Sequence, residues 1–172
     1  MISLVYDSLA VSDLEWVLPD LQAADVYATF FVHGELITND IAAWKRVAGS
    51  GHKLGNGAVL AITDFWDRME PADIADEIND LNILIREVAG SEAVIPTALP
   101  SASGRLDWFS LATGELVSVV AVGASAAPAL EAARERASGP DPVILAFHQP
   151  HPQAHKQVLD WLAEHSSGHS ES

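Results

Sequence analysis

Short apolar, β-branched runs recur along this chain, and nearly every one is followed by a stretch with helical spacing. Residues 2–6, 26–32, 59–62, 93–95, 116–122 and 143–147 are such runs, continuous enough for strands covered on both faces. Ser12 and Glu15 have capping-box spacing ahead of a helix whose apolar face is Leu14, Val17, Leu18 and Leu21, with Pro19 weakening its second turn. Residues 39–48, 106–111, 128–137 and 152–164 also have helical patterns. The clearest helix begins at Pro71, which suits a first helical position; Ile74, Ile78, Leu81, Ile85 and Val88 step by four and three, and Gly90 suits the left-handed position after the last turn. Regular alternation of strand and helix implies parallel βα units, in an open sheet or a barrel, with functional groups where strands end.

The chain of 172 residues, 49% hydrophobic, is long enough for one domain that buries about two thirds of its unfolded surface. We read residues 1–164 as that domain and 165–172 as a polar, disordered tail. Absence of cysteine excludes disulfides and thiolate metal sites. A net charge of -15 repels phosphate backbones and anionic bilayers, so neither nucleic acid nor membrane is expected as a partner. The N-terminus lacks a basic segment, its apolar run stops at Asp7, and no apolar stretch reaches the roughly 20 residues of a membrane span; a cytoplasmic location is expected.

Five segments stand out as motifs. They are Val5-Tyr6-Asp7-Ser8-Leu9, the run from Ala28 to Gly34, Gly51-His52-Lys53-Leu54-Gly55-Asn56, the loop from Leu99 to Gly104, and Val143 to His148. Together they resemble the polysaccharide deacetylase, or NodB-homology, family over nearly the whole chain. The first stands where that family has Thr-Phe-Asp-Asp-Gly. The second matches its second strand, the third leads into its His-x-x-x-His motif, the fourth takes the place of its Arg-x-Pro-x-Gly loop, and the fifth is its last strand and histidine.

The resemblance implies an irregular or incomplete (β/α) barrel and an ancestry in amide hydrolysis. In the family a divalent metal such as zinc polarises the acetamide carbonyl and lowers the pKa of bound water from about 15.7 toward 7, a carboxylate takes the water's proton, and an imidazolium protonates the leaving amine. It places Asp7 at the base position and His148 at the acid position, while the three metal-ligand positions hold Ser8, Gly57 and Ala61. Glycine and alanine have no side-chain donor, and a serine hydroxyl is a poor substitute for a carboxylate. No metal cofactor is therefore expected. The loop arginine is also replaced, with Leu99 or Pro100 nearest.

These features imply a deacetylase-like pseudoenzyme that binds carbohydrate, a small ligand or a protein partner, with Ser8, Asn56, Gly57, Ala61 and Trp66 lining the remnant cleft around Asp7 and His148. Two other readings are a C–N hydrolase of acetylated sugars with an atypical site, and a non-catalytic subunit of an active deacetylase. Plainer roles compete at several positions. Asp7 fits a strand end that caps a turn, and His52 fits a turn-stabilising histidine. Trp16, Trp44 and Trp161 fall in helical patterns that favour packing. A replacement metal site would need His148, His151 and His155, or Asp64 and Asp67, to converge, and Pro150 and Pro152 oppose the former.

Overall fold

The computed structural model describes residues 2–61, 68–99, 108–110 and 116–166. Seven strands close into a barrel in chain order: β1 (Ile2–Asp7), β2 (Ala28–Val32), β3 (Lys53–Asn56), β4 (Thr97–Leu99), β5 (Trp108–Ser110), β6 (Leu116–Val122) and β7 (Val143–Phe147), with β7 pairing back onto β1. All neighbours run parallel except β5, which is antiparallel to both β4 and β6. This makes the barrel irregular, as the deacetylase resemblance implies. Helices α1 (Leu14–Ala23), α2 (Gly34–Asn39), α3 (Ile41–Gly49), α4 (Ala58–Ala61), α5 (Pro71–Ala89), α6 (Ala127–Ala137) and α7 (Pro152–Ser166) complete the described elements.

Strand alternation divides the core in two. Leu4 and Tyr6 face outward and join a large cluster with the buried sides of the helices, including Val17, Trp44, Ile85 and Val158. Val5, Phe31, Ala98, Val119, Ile144 and Ala146 form a second, smaller cluster. Val5 alternates with Leu4 and Tyr6 along β1, so the second cluster fills the barrel interior.

Several sequence-based expectations are corrected. Residues 59–62, expected as a strand, begin with α4: the Asn56 side-chain oxygen accepts the Ala58 N–H at 3.0 Å and turns the chain into a helix straight after β3. The strand expected at 93–95 lies later, at Thr97–Leu99, because Pro96 has no N–H for the ladder and instead offers its carbonyl to the Asn56 N–H at 2.7 Å. Residues 108–110, expected inside a helix, form β5, where pairing with two neighbours overrides a weak helical pattern. The helix expected at 39–48 is two helices broken at Asp40, whose φ of -154° is not helical and whose carboxylate caps α3 through the Ala43 N–H at 3.0 Å. Ser12 lies in a 3-10 turn, Val11–Asp13, ahead of α1, and no side chain caps that helix. Gly90 ends α5 at φ 107°, ψ 150°, open to glycine but distinct from the left-handed helical region expected. Helix α7 runs two residues beyond the expected limit, to Ser166.

Candidate functional site

Asp7 and His148 meet because of register. Val5 of β1 sits opposite Ala146 of β7, and two residues onward on the same interior-facing side come Asp7 and His148. The His148 Nδ1 lies 3.1 Å from an Asp7 carboxylate oxygen, and the Ser8 hydroxyl donates to the other oxygen at 2.9 Å. The Asp7 side chain is 14% exposed and that of His148 is 72% exposed. The trio therefore sits at the mouth formed by the C-terminal ends of the strands, where a barrel of this kind carries its chemistry.

The hydrogen bonds define what the trio can do. A carboxylate only accepts, so Nδ1 carries the proton toward Asp7, which leaves Nε2 as the acceptor nitrogen of the neutral ring. Asp7 is engaged on both oxygens, by Ser8 and by His148. Ser8 itself holds a left-handed backbone, φ 53°, with its N–H donating to the Phe31 carbonyl at 3.0 Å. A non-glycine residue in that region costs on the order of 1 kcal/mol and is concentrated at functional positions.

The other positions divide into those at the mouth and those absorbed by the fold. Gly57 follows β3, and its N–H donates to the Val32 carbonyl at 2.8 Å. A Cβ there would lie 2.9 Å from that same oxygen, so the backbone has closed over the place a side-chain ligand would need. Asn56 is fully buried: its amide donates to the Ile78 carbonyl and to the Asn82 side chain, both at 2.8 Å, tying β3 to α5, while its oxygen starts α4. Ala61 ends α4, and Trp66, Asp64 and Asp67 lie outside the described residues.

A metal does not fit what is present. Gly57 has neither a donor nor space for one, Ser8 is committed to Asp7, and among the described residues no three His, Asp or Glu side chains converge. His148, His151 and His155 do not gather. His155 is wholly buried on the inner face of α7, at helical spacing from Val158, Leu159 and Leu162, and its partners are Tyr6 and Asp20. Its Nδ1–H points to the Asp20 carboxylate at 3.3 Å, so its Nε2 accepts the Tyr6 hydroxyl at 2.6 Å. Burial pushes the Tyr6 hydroxyl pKa far up, with Asp20 adding to the shift, so this hydroxyl stays a donor. Burial also lowers the pKa of His155, against a smaller opposing pull from Asp20. Sequence reasoning missed this link, although the α7 spacing places His155 on the buried face.

His52 likewise serves the scaffold. Its Nδ1 accepts the Ala28 N–H at 3.2 Å at the start of β2, and burial lowers its pKa. Trp44 is buried and donates its indole N–H to the Leu36 carbonyl at 2.9 Å, whereas partly buried Trp16 donates to Asp13.

The model of the polysaccharide deacetylase family matches residues 1–107, more than half of the 172. The chain belongs to the polysaccharide deacetylase family. Solved structures similar in fold include the peptidoglycan deacetylase PdaC from Bacillus subtilis, at 15% identity and a TM-score of 0.63, covering 96% of this chain and 84% of that one. The Bc1960 peptidoglycan N-acetylglucosamine deacetylase is 20% identical, with a TM-score of 0.65 and coverage of 97% and 81%. A mutant of BA3943, described as a CE4 family pseudoenzyme, gives 0.69 at 16% identity, covering 98% of this chain and 63% of its own. Another BA3943 mutant, with restored enzymatic activity, gives 0.67 at 15% identity, with coverage of 96% and 63%. In sequence, 43 residues are 44% identical to the uncharacterized protein YlxY of Bacillus subtilis, a match spanning 25% of this chain and 14% of that relative. Among the described residues, no helix of this polysaccharide deacetylase family member is long and apolar enough to cross a membrane.

Proposed function

We propose that this protein is a polysaccharide deacetylase-like pseudoenzyme that has lost metal-dependent N-deacetylation and uses the barrel mouth for binding. The observation that carries the reading is Gly57. The residue that replaces a metal-ligating histidine lacks a donor, and the Val32 carbonyl stands 2.9 Å from where its Cβ would begin. The mouth keeps a polar floor in Asp7, Ser8 and His148, suited to hydroxyl and amide groups. A saccharide bearing both kinds of group is the ligand we favour, and a small ligand or protein loop presenting them is the other kind of occupant. Ser8, Gly57 and His148 are the contact positions we assign, Ala61 and Trp66 being further contacts proposed from the sequence, and Asn56 supports the end of β3.

The test is acetate release from β-1,4-linked N-acetylglucosamine oligomers with zinc, cobalt or no added metal, run beside a binding titration of the same oligomers. The reading expects no release above the uncatalysed rate in any condition, together with saturable binding weakened by His148→Ala. Metal-dependent release would overturn it.

The direct contact between Asp7 and His148 favours a second reading, a C–N hydrolase of acetylated sugars with an atypical site. His148 would exchange protons through Nε2 while Asp7 holds the ring. Metal-independent release abolished by Asp7→Asn would establish that reading in place of the first.

A further inference from the structure

A second polar groove lies away from the mouth, between α6 and α7. It has a volume of about 540 Å³ and is lined by Ala127, Leu130, Glu131 and Arg134 from α6 and by Gln157, Asp160, Trp161 and Glu164 from α7. Both sets repeat at helical spacing, so each helix gives the groove one continuous face. The volume falls within the roughly 300–1,000 Å³ of ligand sites.

One feature separates this groove from an ordinary helix seam. Trp161 is 3% exposed, and among the described residues its indole Nε1–H is the buried side-chain polar atom with no hydrogen-bond partner. Such an orphan donor is uncommon in native folds and costs about 1–3 kcal/mol. The rest of the indole is well held, with the His165 ring 4.3 Å away and the His165 Nδ1–H donating to the Trp161 carbonyl at 2.8 Å. Arg134, Gln157 and Glu164, which line the groove with it, are long and exposed, and ligand access to the N–H requires them to change rotamer.

We propose that this groove is a binding site for a neutral saccharide. Its chemistry is mixed: indole, amide and guanidinium donors stand among the carboxylates of Glu131, Asp160 and Glu164, of which Asp160 is already paired with Lys156 at 2.8 Å. Three carboxylates repel a phosphate or other polyanion, and a purely apolar segment would leave these charges unsatisfied. Sugar hydroxyls both donate and accept, so one ring can meet the Trp161 N–H, Gln157 and a carboxylate together while its C–H face rests on Leu130 and Ala127. The inference does not depend on what occupies the barrel mouth.

The experiment follows the indole N–H resonances of the full ¹⁵N-labelled chain during titration with β-1,4-linked N-acetylglucosamine tetramer, Trp161→Phe identifying the Trp161 signal. The site predicts that this signal shifts and saturates at about millimolar ligand. It predicts that Trp161→Phe, which also loses buried packing and so falls somewhat in melting temperature, weakens binding about tenfold. Gln157→Ala, an exposed change, weakens binding with the fold intact, and Asp7→Asn leaves groove binding unaltered. A Trp161 signal that stays still to about 20 mM ligand overturns the proposal. So does one that responds to inorganic phosphate rather than sugar, or sugar binding left unchanged by Gln157→Ala.

Discussion

Neighbouring residues of β1 start two polar networks with opposite fates. Asp7 faces the barrel interior and meets His148, 141 residues away, at a solvent-facing mouth. Tyr6 faces the helix layer and meets His155, 149 residues away, with the imidazole fully buried. The chemistry is similar, an imidazole joined to an oxygen, but burial differs. An exposed pair contributes little to stability and leaves a nitrogen available to a ligand, whereas a buried one must satisfy every group and in return locks three elements, β1, α1 and α7. The first network is the one we assign to binding.

The largest test of this contrast breaks the buried network. His155→Ala strands the Tyr6 hydroxyl and opens a cavity, with an expected loss of about 3 kcal/mol in denaturant unfolding; Tyr6→Phe should cost about 1–2 kcal/mol. A loss under about 0.5 kcal/mol for His155→Ala would show that the network holds nothing. Next comes the closed backbone at the mouth. Gly57→Ala should cost about 1–3 kcal/mol, because its Cβ meets a main-chain oxygen that a side-chain rotation cannot move. Restoring donors through Ser8→Asp, Gly57→His and Ala61→His together should consequently give a poorly folded protein without tight zinc binding, in contrast to the BA3943 mutant with restored activity.

Acid acts by a smaller margin, on the two buried histidines. His52 and His155 have folded pKa values lowered by burial, so below the unfolded value of about 6.5 the unfolded chain takes up protons that the folded one refuses. Their contribution is complete above about pH 6.5 and declines as pH falls through that value toward the lower folded ones. His52→Asn, which keeps an acceptor near Nδ1, should flatten the fall in melting temperature between about pH 7 and 5; an unchanged slope would contradict the assignment. The smallest effect belongs to the mouth: His148→Ala should alter stability by under about 0.5 kcal/mol, since the ring is largely exposed, yet weaken ligand binding.

Much of the mouth was legible in the sequence because strand alternation is simple. Apolar runs ending in Asp7 and His148 lie side by side once β1 and β7 pair, and the absence of donors at Gly57 and Ala61 needs no structure to see. What escaped depends on distant partners. Residues 108–110 became a strand only because β4 and β6 flank them. Asn56 looked like a cleft residue, but its amide reaches 22 and 26 residues onward into α5, a link no local pattern encodes. The closure at Gly57 was equally hidden, because it is set by the Val32 carbonyl on the adjoining strand.

Zinc stoichiometry of the full chain, by elemental analysis after incubation with zinc and dialysis, tests the central claim most directly. A mouth closed at Gly57 and occupied by the Asp7–Ser8–His148 trio predicts a zinc content near zero that is unchanged by Asp7→Asn. About one zinc per chain, lost on replacing Asp7 or His148, would contradict it and make the mouth a rebuilt metal centre.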